Sequence, residues 1–248
     1  MTGVFASKTD VGRRRGLNED YVWVNEQAGI YIVADGMGGQ EAGDLASQLA
    51  ATMAGQFIAT HLEQHIEPLS AMIAKELMTG AIEAANETVL MAAREAEQSR
   101  PMGAAIVVAV VKPPNIYISH VGDARAYLLQ DSELIRLTED DSWVAQLVAA
   151  GLLTEEKARH HPLGHVLTKA VGQNSPVEPT FTEVAAAAGN WLLLCSDGLW
   201  NMVNDEQILA ELQESNDDPA RAVEALVEAA NEAGGKDNIS VIVIKILP

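Results

Sequence analysis

Four aspartates stand at the ends of apolar, strand-like runs in this 248-residue chain: Asp35 in IYIVADGMGG, Asp123 in IYISHVGDAR, Asp197 in WLLLCSDGLW and Asp237 in GGKDNISVIVIKI. Asp35 and Asp197 are each followed directly by glycine. Runs this apolar must be buried in sheets, and a fold that buries all of them carries their terminal carboxylates along. Four such deliveries point to carboxylates meeting at one place. Clustered anions are costly unless a cation neutralises them, and hard divalent cations such as Mg²⁺ and Mn²⁺ take oxygen ligands of this kind. The first expectation is therefore a carboxylate-built metal centre holding more than one ion.

Length and composition narrow the setting. Apolar residues make up 48% of the chain, enough for a substantial core. Net charge is −19, from 35 acidic and 16 basic residues. Phosphate backbones need stripes of Lys and Arg, so a nucleic-acid partner is disfavoured. The one dense basic run, Arg13-Arg14-Arg15, suffices for a single phosphate group. A lone cysteine, Cys195, excludes an intrachain disulfide and fits a cytoplasmic location. The opening MTGVFASKTDVGRRRG holds no apolar signal-peptide core, and no apolar stretch reaches membrane-span length.

Periodicity orders the elements as strands, two helices, strands, two helices and a strand. Strands are expected at 4–7, 21–25 and 31–34. A helix over 41–62 carries Leu45, Leu49, Met53, Phe57 and Ile58 at helical spacing, Pro68 breaks the chain, and a second helix to about residue 97 has Met72, Ile73, Leu77, Ile82, Ala85 and Val89 on one stripe. Strands return at 104–111, 116–121, 126–129 and 134–137, followed by short helices over 142–149 and 154–161. The segment 160–184 reads as an irregular cover. A buried strand at 191–195, a helix over 205–213, a helix opened by Asp218-Pro219 and a last strand at 239–247 complete the chain. No linker-like composition or repeat appears, so one α+β domain spanning 1–248 is expected, with helices covering antiparallel sheets.

Ordered motifs then accumulate: Asp10-Val11-Gly12 with Arg15 and Asn18-Glu19-Asp20, Asp35-Gly36-Met37-Gly38-Gly39, Pro101-Met102-Gly103, Val121-Gly122-Asp123-Ala124-Arg125, Leu167-Thr168-Lys169-Ala170-Val171-Gly172, Ser196-Asp197-Gly198-Leu199 and Lys236-Asp237-Asn238-Ile239-Ser240. Each is weak alone. Together and in this order they resemble the metal-dependent type 2C protein Ser/Thr phosphatases in their bacterial form.

That resemblance implies a four-layer αββα sandwich, two central antiparallel sheets flanked by helix pairs. It implies two Mn²⁺ or Mg²⁺ ions between the sheets, with Asp35 bridging them and the Gly36 carbonyl on one. Asp197 and Asp237 would ligate the other ion. Glu19 and Asp20 would act directly or through metal-bound waters, and Asp123 matches a position associated with a third, weaker ion. Paired ions can share a water, lower its pKa and clamp the entering and leaving oxygens, so that water attacks phosphorus in line. Arg15, five residues before Asp20, would hold the phosphoryl group through a fork of donors matched to its oxygens. Asn238 would orient Asp237 or a bound water.

Plainer readings compete. Asp-Gly after a strand is a common hairpin signal. DGMGGQEAG is glycine-rich but lacks the Gly-Lys-Ser/Thr ending of a P-loop. Cys195 has only leucines before it and reads as a buried strand residue. His61 and His65 read as exposed at a helix end, His120 as packing, and His160, His161 and His165 fall in the cover segment. The chain also departs from the family pattern. Met37 stands where eukaryotic relatives carry a histidine, Ala104-Ala105 replaces Thr-Thr, Asp141 replaces a histidine and Asn190 an aspartate. None removes an expected ligand. The reading is a cytoplasmic, monomeric phosphatase of phosphoserine and phosphothreonine proteins made by a bacterial Ser/Thr kinase. The rivals are a catalytically silent, metal-binding phosphoprotein-recognition module and an unrelated carboxylate-metal nuclease.

Overall fold

The computed structural model describes residues 3–39, 41–64, 69–96, 102–159, 161–173 and 175–247, the side chain of Glu41 aside. Expectations resting on His65, Pro68, Pro101, His160 and the helix end at Glu97 lie outside these residues.

Ten strands form two five-stranded antiparallel sheets among the described residues. One sheet orders β2 (Asp20–Asn25), β3 (Ile30–Met37), β4 (Gly103–Lys112), β5 (Asn115–Val121) and β8 (Thr180–Ala185). The other orders β1 (Gly3–Asp10), β10 (Ile239–Ile246), β9 (Trp191–Cys195), β6 (Arg125–Gln130) and β7 (Glu133–Arg136). Strand alternation sorts the side chains of both into two faces. Tyr31 and Val33 meet Ala126, Leu128, Leu192, Leu194, Ile242 and Ile244 in a core between the sheets. Ile30, Ile32 and Ala34 instead pack outward against α1 (Glu41–Gln64) and α2 (Ala71–Glu95). On the far side Leu193, Cys195, Val241 and Val243 pack against α5 (Asp197–Trp200), α6 (Asp205–Glu214) and α7 (Pro219–Glu232). The result is the expected αββα order of layers. The Asp218-Pro219 start holds as well, with Asp218 accepting from the Ala220 amide at 2.9 Å.

The differences from expectation are physical. The segment 160–184 runs into the end strand β8, whose residues are divided between exposed and half-buried without regular alternation, which blurs the pattern that marks a strand. Leu45 and Met72 are exposed. The buried stripe of α1 is Ala42, Ala46, Ala50, Ala51, Ala54 and Ile58, so small residues let the helix sit close on the sheet while the larger ones flank it. His61 is half-buried, stacked on Phe57 at 4.3 Å. Gly55 of α1 sits tight on β2, where an added Cβ would lie 2.5 Å from the Trp23 ring. Gly55→Ala should therefore lower stability by about 1–3 kcal/mol, as overpacking does, seen as a lower midpoint in urea with the m-value unchanged.

Candidate metal centre

The same alternation that fills the inter-sheet core sets the centre at its end. Asp35 follows Tyr31 and Val33 on the inward face of β3, and Asp20 sits opposite it in the β2–β3 register. Two carboxylates directly across a strand pair repel each other. From the other sheet, Ser196 and Ser240 continue the inward faces of β9 and β10. The Ser196 hydroxyl donates to Asp20 Oδ2 at 2.6 Å and accepts from the Ser240 amide at 3.0 Å. Ser196 stands at the N-cap of α5 but makes no capping bond, its hydroxyl being committed to Asp20. Asp197 then opens α5, and Asn201 donates to its Oδ2 at 3.1 Å. Asp123 lies on the turn where the chain crosses from β5 in one sheet to β6 in the other.

Two backbone approaches close the site. Gly198 is pressed against the Asn238 carbonyl and Gly36 against the Gly43 carbonyl; a Cβ would meet these oxygens at 1.9 and 2.0 Å. No other residue allows such contacts. Buried Asn238 works as a three-way staple. Its carboxamide donates to the Val11 and Leu17 carbonyls at 3.0 and 2.9 Å and accepts from the Glu19 amide at 2.8 Å. Its own amide, not its side chain, donates to Asp237 Oδ1 at 2.9 Å. The Glu19 carbonyl in turn accepts from the Gly36 amide at 3.0 Å.

The electrostatics are those of a centre built for cations. Burial first, then the charges of Asp20, Asp197, Asp123 and Asp237, push the Asp35 carboxyl well above the usual range. Burial and then Asp123, Asp237 and Asp20 do the same to Asp197. Asp20 is pushed up to about 6 by burial, against the lowering effect of its serine hydrogen bonds. Asp123 reaches about 7 through burial and Asp140. Glu19 is raised by burial. Glu19 Oε1, Asp20 Oδ1 and Asp197 Oδ1 are buried with no hydrogen-bond partner. Unpaired buried carboxylate oxygens are expensive, and as hard oxygen donors they fit Mg²⁺ or Mn²⁺. The set is open rather than a closed cage: among the described residues no three His, Cys, Asp or Glu side chains converge at ligand spacing. Arg15 lies among them, bound to Asp237 Oδ2 at 2.7 Å and to Glu19 Oε2 at 3.4 Å.

Beside the centre a groove of about 730 Å³ opens under the cover segment, with Asp237, Lys236 and Gly198 at one part and His161, His165, Lys169 and Arg159 at another. Met37 holds no titratable group toward the site, its sulfur accepting from Gln173 at 3.2 Å. Ala105 stands opposite Asp35 in the β3–β4 register, where a threonine hydroxyl would have been. Asp141 accepts from the Gly122 amide at 3.2 Å and pairs with Lys169 at 3.0 Å. Asn190 closes a turn before β9 through the Ala187 amide at 3.1 Å.

The profile of the Protein phosphatase 2C family matches residues 13–239. The chain belongs to that family. The protein phosphatase PhpP of Streptococcus pneumoniae is 37% identical over 243 residues, covering 96% of this chain and 95% of that protein. The crystal structure of the Mycobacterium tuberculosis serine/threonine phosphatase PstP superposes with a TM-score of 0.88 at 35% identity, over 100% of both chains. The PstP catalytic domain in complex with two manganese ions superposes at 0.85 with 34% identity, over 99% of each chain.

Within this 2C-family chain, Ser196, Ser240 and Asn201 hold the carboxylates without having been singled out in the sequence. Ser196 and Ser240 lay inside recognised motifs, and their alternation with Leu194 and Ile242 was the available signal.

The raised carboxylates make a sign-specific prediction. An acid whose folded pKa lies above its unfolded value stabilises the fold below the unfolded value and loses that contribution as pH rises through the folded one. In EDTA the melting temperature should therefore fall between pH ~4 and pH ~7, the window set by Asp20 and Asp123. Millimolar Mn²⁺ should raise it most at the alkaline end, and differential scanning fluorimetry across pH reads both. Asn238→Ala should separately cost about 2–4 kcal/mol in chemical denaturation, because it orphans an amide and two carbonyls.

Proposed function

We propose that this chain is a metal-dependent phosphoprotein phosphatase, one type 2C unit across residues 1–248, that hydrolyses phosphoserine and phosphothreonine monoesters. The observation that carries this is a set of three buried carboxylate oxygens without partners, beside a carboxylate, Asp35, that is raised by burial and then by four other aspartates. The family membership and the paired manganese ions of PstP support reading that cluster as a two-ion centre for Mn²⁺ or Mg²⁺.

Asp35, Asp197 and Asp237 are proposed as the principal ligands with the Gly36 carbonyl. Glu19 and Asp20 act directly or through water, and Asp123 serves a third, weaker ion. When bound, the ions would supply Lewis acidity that activates water and stabilises charge developing on the phosphoryl group. The protein's own groups do the rest. Asn238 fixes the 11–19 segment, and with it Arg15, at the rim. Arg15 is half exposed there, and its fork can turn from Asp237 and Glu19 to the phosphoryl oxygens. Asp20 is held by Ser196 at the level of Asp35, so the two carboxyls cannot drift apart. Met37 offers no proton, so the leaving alkoxide takes its proton from water or from another group.

We further propose that the substrates are products of a bacterial Ser/Thr kinase and that the enzyme acts as a cytoplasmic monomer. No described helix is long and apolar enough to cross a membrane.

Mn²⁺-dependent release of phosphate from p-nitrophenyl phosphate and from a phosphothreonine peptide tests the reading. Manganese binding without turnover would return the chain to a silent recognition module. Asp35→Asn and Asp237→Asn should lower turnover by more than about a hundredfold, exceeding the usual loss for groups that merely orient ligands. Asp35→Asn should at the same time raise the metal-free melting temperature, since it removes a repelled charge. Arg15→Ala should cost about ten- to a hundredfold in kcat/KM, the scale of a lost charged hydrogen bond, with Mn²⁺ affinity changed far less.

A further inference from the structure

Arg125, Trp200 and Asp140 form a buried cluster that the proposed chemistry leaves unused. Arg125 opens β6, two residues after Asp123, and is 7% exposed. Its guanidinium grips Asp140 with both edges of its fork, Nε to Oδ1 at 2.9 Å and Nη2 to Oδ2 at 2.7 Å, while Nη1 donates to the Tyr127 hydroxyl at 3.0 Å. The same guanidinium lies 3.6 Å from the centroid of the Trp200 ring. Trp200 is the last residue of α5, whose first residue is Asp197, and its indole N–H donates to the Asp123 backbone carbonyl at 3.0 Å.

These contacts close a circuit. The backbone of Arg125 is in register with Cys195, two residues before Asp197. Its side chain reaches Trp200, three residues after Asp197. Trp200 returns to Asp123, on the same turn that leads into Arg125. Asp197 is thus bracketed from both sides by one residue, and the carbonyl of Asp123 is tied to the end of the helix that Asp197 begins. Arg125, Asp140, Gly198, Trp200 and Asp237 also line the groove beside the centre, so the circuit borders the site. A buried arginine–carboxylate pair gains little net stability over apolar residues of the same volume. A planar, bidentate, ring-stacked guanidinium does fix geometry in a way lysine cannot reproduce.

We propose that Arg125 and Trp200 are positioning residues that set the spacing between Asp123 and Asp197 and thereby the affinity for the most weakly held divalent ion. This rests on the proposed metal roles of those two aspartates. Asp140 acts behind them, by holding the guanidinium flat against the indole.

The test uses Trp200→Phe, which keeps a ring under Arg125 and removes the indole N–H, and Arg125→Lys, which keeps the charge and removes the fork. Mn²⁺ binding is counted directly by electron paramagnetic resonance of the free ion, and turnover of p-nitrophenyl phosphate is titrated against Mn²⁺. Trp200→Phe should weaken the most weakly bound ion about three- to tenfold, the scale of one lost neutral hydrogen bond. Arg125→Lys should weaken it by about ten- to a hundredfold, as loss of a group supporting metal ligands does. KM for the aryl phosphate at saturating Mn²⁺ should stay at the parent value in Trp200→Phe. Parent-like Mn²⁺ affinity in Trp200→Phe, or a defect confined to KM, overturns the proposal, and Trp200→Phe decides alone if Arg125→Lys does not fold. A parent protein that binds Mn²⁺ without turnover would sink the phosphatase reading, while the two affinities still decide this one.

Discussion

Mutual repulsion among carboxylates held between two apolar sheets is the constraint around which this molecule is built. Burial alone raises the pKa of an aspartate, and here each of Asp35 and Asp197 also faces several others. A protein does not keep such a cluster for stability. Everything nearby acts to hold the anions together. Ser196 ties Asp20 from the opposite sheet, Asn238 staples the 11–19 segment, Asn201 holds Asp197, and Arg15 supplies a positive charge between Asp237 and Glu19.

The sandwich explains why the cluster forms at one end. Sheets packed face to face have an apolar interior along their length and an open edge where strands stop. Inward-facing Tyr31, Val33, Leu192, Leu194, Ile242 and Ile244 fill the interior, and the next inward positions, Asp35, Ser196 and Ser240, are polar. The switch from aliphatic to polar on the same face marks where the core ends and the chemistry begins. The proposed centre is therefore a property of both sheets, with Asp20, Asp35 and the Gly36 carbonyl from one and Asp197 and Asp237 at strand ends of the other. Asp123 lies on the crossing between them.

Much of the fold was legible from strand and helix periodicity. β9 was readable to the residue because WLLLC is continuous and apolar, and α7 because Asp218-Pro219 announces a helix start. β8 was hidden by its half-exposed pattern. In α1 the large residues at helical spacing include the exposed Leu45, whereas alanines, small enough to blend into any helix pattern, make the close contact. The carboxylates were legible because each closes or opens an apolar run. The serines and asparagines that hold them were not. A hydroxyl or carboxamide bonds across residues far apart in sequence, as Ser196 does to Asp20, and carries no local signature of doing so.

What the sequence by itself determined was the inventory: which strands are apolar, which carboxylates stand at their ends, and in what order the motifs run. Local chemistry writes those features, since side-chain period and turn residues are set within a few positions. Only the tertiary structure decided which anions meet, that Arg15 lies among them, and that Arg125 and Trp200 link Asp123 to Asp197. Those are relations across tens to hundreds of residues, fixed by sheet register and by the packing of one layer on the next. Apart from Arg15 and Glu19, four residues apart, no short stretch of chain contains both partners.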